Sequence, residues 1–144
     1  VVNTIILFLH VIGAVGMGVY AIMPFLVGQF RKLPGAAQEG LAKGLLVGGR
    51  IGQFSLLLLL LTGGYLISNL GPDYAISWSI TVLVIFLAIG ALTGNAQKPL
   101  KAIAAAASEG KDVSAFVGRV RTFSVLIVIL FIAILWIMLD PWYK

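Results

Sequence analysis

Gly49-Arg50-Ile51-Gly52-Gln53-Phe54-Ser55-Leu56 and Gly118-Arg119-Val120-Arg121-Thr122-Phe123-Ser124-Val125 are two versions of one pattern. Gly49, Arg50, Phe54 and Ser55 recur as Gly118, Arg119, Phe123 and Ser124, and each copy runs directly into a long apolar segment. Upstream, Glu39-Gly40 is echoed by Glu109-Gly110, one residue out of step. The natural reading is an all-α membrane domain built from two duplicated helical hairpins, residues 1–70 and 71–144.

Composition points the same way. The chain is 60% hydrophobic and only 10% charged, with a mean hydropathy of +1.09. Soluble domains carry roughly a quarter charged residues, so this chain lacks the polar groups to cover a water-facing surface. Cysteine is absent, which excludes disulfides, Cys-ligated zinc, iron–sulfur clusters and thiol catalysis.

Four apolar segments follow, read as four transmembrane helices: Val2–Phe30, Ile51–Leu70, Ile76–Thr93 and Thr122–Leu139. About 20 apolar residues cross the hydrocarbon core. The first segment is too long for the apolar core of a secretory signal and has no basic stretch before it. Pro24 removes a backbone donor and is expected to bend the first helix near the Tyr20 carbonyl. Two polar connectors separate the pairs, Gly28–Gly49 and Asn95–Gly118. Ala36–Val47 is suited to extend the helix that follows it, and Lys101–Ser108 reads as a helical piece. Asn69-Leu70-Gly71-Pro72-Asp73 is a turn by composition, and Asp140-Pro141-Trp142-Tyr143-Lys144 is an aromatic stop at the membrane interface.

Charge sets the expected orientation in a bacterial plasma membrane. Arg31, Lys32, Lys43, Arg50, Lys98, Lys101, Lys111, Arg119 and Arg121 lie on the connector side, and only Lys144 lies opposite. The positive-inside rule places the connectors in the cytoplasm and both termini outside. The net charge of +5 is thereby explained by anionic lipid headgroups without a nucleic-acid partner.

His10 is the single histidine. At helical spacing its stripe continues through Gly13, Ala14, Met17, Gly18 and Ala21, small residues that let a helix or a flat macrocycle come close. An imidazole in hydrocarbon needs a partner. One reading makes His10 an axial ligand to haem b, or a metal ligand; the other makes the stripe a helix-packing face with His10 bonded to a Ser, Thr or carbonyl across it. Arg50 with Phe54, and Arg119 with Phe123, lie four residues apart on one helix face. These arginines either snorkel to headgroups or pair with an anion such as a haem propionate or a phosphate. No acidic residue lies within a span, which leaves a carboxylate-based ion pathway without a candidate. No catalytic constellation is legible.

Phe8-Leu9-His10-Val11-Ile12-Gly13-Ala14, together with Arg50…Phe54-Ser55 running into Leu60-Leu61-Thr62-Gly63, resembles a group of small bacterial membrane proteins. The group includes CopD-type copper-resistance proteins, HemJ-type protoporphyrinogen oxidases and related uncharacterised families. The resemblance implies a four-helix fold. In the HemJ type the histidine matching His10 by motif is implicated in haem binding, and in the CopD type membrane histidines and methionines are associated with copper. Here the methionines are Met17, Met23 and Met138, and no second intramembrane His or Lys accompanies His10.

Three functions compete at this level. The first is a haem-associated membrane protein with His10 as axial ligand and Arg50 or Arg119 on a propionate, including a site shared across a homodimer. The second is a non-enzymatic scaffold or accessory subunit whose small-residue stripes bind other helices. The third is a small transporter with rocking halves.

Overall fold

In a computed structural model, residues 1–70 and 74–142 are described. The elements are α1 (Val2–Met17), α2 (Val19–Val27), a 3₁₀ turn (Phe30–Lys32), α3 (Gly35–Leu70), α4 (Ile76–Ser108) and α5 (Ser114–Leu139). Four stretches are long and apolar enough to cross a membrane: Val2–Lys32, Gly35–Asn69, Ile76–Ser108 and Ser114–Leu139. Helix is the form a single apolar segment must take in hydrocarbon, because it satisfies every backbone N–H and C=O internally. Gly71, Pro72 and Asp73 of the expected turn, and Tyr143-Lys144 of the expected stop, lie outside the described residues.

The helices run further than the apolar segments. α3 begins at Gly35, so Ala36–Val47 does extend it, and α4 continues through Pro99 to Ser108. The polar connectors therefore shrink to short turns, because their Ala- and Leu-rich halves have high helix propensity. Glu39-Gly40 sits inside α3, whereas Glu109-Gly110 forms the turn after α4. Gly110 adopts φ 71°, the Lys111 N–H bonds Ala106 O at 2.8 Å, and the Gly110 N–H bonds Ala107 O at 3.2 Å. This left-handed cap takes up two orphan carbonyls of α4 and is the place where glycine is needed for its backbone.

The first crossing is interrupted at Gly18, two residues before Tyr20. The Gly18 N–H reaches Val15 O at 2.9 Å and the Ala21 N–H reaches Gly18 O at 3.0 Å, a tightening to three-residue hydrogen bonds. Pro24 lies inside α2, and the Tyr20 ring is held against Gly52.

Packing follows chain order. α1 runs antiparallel to α3, α4 lies between α3 and α5, and α2 turns onto α5 and α3, while α1 does not pack along α5. The bundle is thus closed at the connector end and looser at the terminal end. Its interior holds Met17, Tyr20, Val27, Phe30, Ile89, Leu100, Ile103, Val120 and Ile127. The outside is apolar: Val15 is 74% exposed, Phe25 76%, Phe54 74% and Ile76 76%. A belt of that kind is a lipid-facing surface.

Candidate functional site

Close approach of α1 to α3 builds the site. A Cβ on Gly13 would stand 2.9 Å from Leu59 Cγ, and one on Gly16 would overlap the Ser55 hydroxyl. At Gly13 the stripe that sequence left for a helix or a macrocycle is thus taken by α3. Gly13 and Met17 are buried there, Ala14 and Gly18 half-buried. Small residues permit such contact between membrane helices.

His10 stands one turn above this contact. Its Nδ1 lies 2.9 Å from Thr62 Oγ1, and the Thr62 hydroxyl donates its proton to Leu58 O at 2.7 Å. One hydroxyl carries one proton, so Thr62 accepts and His10 donates through Nδ1–H. In the neutral imidazole this tautomer leaves an unshared pair on Nε2. The ring rests on the Gly63 backbone, where a Cβ would stand 3.3 Å from His10 Cε1. His10, Gly63, Ile67, Tyr74, Trp78 and Met138 are among the residues lining a cavity of about 240 Å³ near the terminal end. All four crossings contribute to it. Trp78 donates its indole N–H to Ile137 O at 2.9 Å, and its ring centroid lies 4.7 Å from that of Tyr74, so this wall is held firmly.

The arginines lie elsewhere. Arg50 precedes Thr62 by twelve residues of α3, about 18 Å at 1.5 Å per residue. Arg119 precedes Met138 by nineteen residues of α5, about 28 Å on the same rise. Arg50 and Phe54 are exposed on α3. Arg119 and Phe123 line a separate groove of about 610 Å³ between α4 and α5. The structure therefore joins His10 to Thr62 and Trp78 and separates it from both arginines.

Among protein-family models, curated proteins and solved structures, none matches this chain. Function is read from the site alone. The cavity beside His10, about 240 Å³, is smaller than the roughly 300–1,000 Å³ of pockets that enclose drug-sized ligands, and Arg50 and Arg119 lie toward the other end of the bundle. Among the described residues no cluster of three His, Cys, Asp or Glu side chains is placed to hold a metal.

Thr62, Trp78 and Tyr20 escaped sequence reasoning. Tyr20 is only 1% exposed and a Cβ on Gly52 would overlap its ring. Its hydroxyl faces Thr93 without a hydrogen bond of good geometry, while Thr93 donates to Gly90 O at 3.0 Å. The Leu-Thr-Gly run at Leu61–Gly63 was the signal available for Thr62.

Proposed function

We propose that this small multi-pass membrane protein binds a compact bilayer-soluble molecule with an aromatic hydroxyl, a quinol head group being the fitting class. The hydroxyl donates to Nε2 of His10, the ring lies against Trp78, and any hydrocarbon tail leaves between α1 and α5. The observation that supports this reading is the Thr62 contact, which commits Nδ1–H and leaves an acceptor toward an otherwise apolar, aromatic-walled cavity. Such pockets combine an apolar lining with a few placed polar groups.

The same unshared pair is what an axial ligand to haem b needs, and this is the second reading. It requires the cavity to widen between α1 and α5, or a haem held between two copies of the chain. The proposed setting is a plasma membrane with both connectors cytoplasmic, following the distribution of Lys and Arg. The common burial of Ser55 and Ser124 supports an origin by duplication.

Purified protein titrated with a short-chain benzoquinol, followed by tryptophan fluorescence, tests the proposal. Saturable quenching that is lost in His10→Phe and in Gly63→Leu is expected. Quenching indifferent to His10 would sink it. A Soret band in protein from haem-replete cells, absent in His10→Ala, would put the haem reading first.

A further inference from the structure

Independently of the His10 cavity, we infer that the groove between α4 and α5 at the connector end is a binding site for the phosphate headgroup of an anionic phospholipid. Lys98 and Arg119 line it from its two walls, Asn95 and Thr122 add polar groups, and Phe123 and Gly118 line its apolar part. The volume of about 610 Å³ falls within the roughly 300–1,000 Å³ of ligand-enclosing clefts.

Three observations make this more than surface charge. First, the cations are available. The ion pairs among the described residues are Lys43 with Glu39 and Lys111 with Glu109, and no carboxylate is paired with Lys98 or Arg119. Second, the groove's glycine is not filled by helix packing. A Cβ built on Gly118 meets nothing within 4 Å, unlike Gly13, Gly16 and Gly52, which side chains of a neighbouring helix fill. Third, the repeated motif behaves differently in its two copies. Arg50 and Arg119 are both exposed, but Phe54 is 74% exposed whereas Phe123 is half-buried in the groove. The same residues thus stand on an open face of α3 and beside a groove on α5.

The depth suits a lipid. α4 is apolar up to Thr93 and α5 from Thr122 onward, so the groove lies where headgroups meet the hydrocarbon core. A phosphate between the ammonium and the guanidinium gains two charge-assisted contacts, with an acyl chain running past Phe123 toward the bilayer centre.

The test uses the full chain, delipidated in detergent and examined by native mass spectrometry with phosphatidylglycerol or phosphatidylcholine of matched chain length. Inorganic phosphate and glycerol phosphate serve as competitors. A basic residue near an anionic surface is worth about fivefold in partitioning. Within a walled site, Arg119→Gln and Lys98→Gln should each lower retention of phosphatidylglycerol about tenfold. Arg50→Gln should change it less than about twofold, and Gly118→Leu should abolish it with every charge intact. Equal losses in Arg50→Gln and Arg119→Gln, with Gly118→Leu unaffected, would show diffuse boundary charge and overturn the site. Displacement of the lipid by millimolar inorganic phosphate would overturn the lipid assignment in favour of a soluble phosphate.

Discussion

His10 Nδ1 and Thr62 Oγ1 meet at 2.9 Å across the α1–α3 interface, although 52 positions separate them in the chain. Intramembrane hydrogen bonds of this kind average about 0.6 kcal/mol, with a maximum near 1.7. Thr62→Val should therefore destabilise the bundle by about 0.6 kcal/mol. A double-mutant cycle with His10→Ala should return the same coupling. A coupling above about 2 kcal/mol would mean that the pair carries the fold rather than orienting the ring.

Tyr20 and Gly52 give opposite predictions at one contact. Gly52→Ala forces a methyl into the Tyr20 ring and should cost about 1–3 kcal/mol by overpacking. Tyr20→Phe removes a buried hydroxyl without a hydrogen bond, whose burial costs about 1–3 kcal/mol, so it should match or exceed the parent in stability. Reversible unfolding in mixed micelles measures both. A destabilised Tyr20→Phe would reveal a partner for the hydroxyl.

The terminal end is pinned by two indoles. Trp78 donates to Ile137 O at 2.9 Å and Trp142 to Ser77 Oγ at 2.7 Å. Trp78→Phe leaves a buried wall intact but strips the Ile137 carbonyl of its donor, at about 1–2 kcal/mol. Ser77→Ala, at an exposed site, should cost under about 0.5 kcal/mol. Thermal unfolding should rank them in that order.

Asp112 accepts from the Ser114 hydroxyl at 2.7 Å and the Ser114 N–H at 3.1 Å, just before α5. These hydrogen bonds hold its carboxyl below the ordinary value of 3.8. A depressed carboxylate contributes stability above its unfolded pKa and loses it as pH falls through the folded one. The start of α5 should therefore loosen below about pH 4. Protection factors at Ser114–Val117, referred to the intrinsic exchange rate at each pH, should fall with acid in the parent and stay constant over that window in Asp112→Asn.

Orientation is checked by single cysteines in this Cys-free chain. In intact cells a membrane-impermeant thiol reagent should label Lys144→Cys and spare Lys111→Cys. The reverse pattern would invert the topology.

The number and apolar character of the crossings follow from sequence alone. Hydrocarbon leaves a lone apolar segment one way to satisfy its backbone, and the Leu56–Leu61 run or Val125–Leu139 can answer only as helix. The extension of α3 through Ala36–Val47 was legible from its Ala- and Leu-rich composition. Gly18 was not legible as the point of interruption, because the local signal came from Pro24 and pointed to Tyr20, two residues away. Nor could sequence choose between helix and macrocycle for the Gly13 stripe, since both fit small residues; the position of Leu59 and Ser55 on α3 decided it. The clearest case is the repeated Arg–Phe motif. Its two copies are equivalent as sequence, yet Arg119 and Phe123 line a groove while Phe54 stands on an open face of α3. A groove belongs to two helices at once, and the spacing of α4 from α5 is set by packing along their whole length, which no eight-residue motif contains.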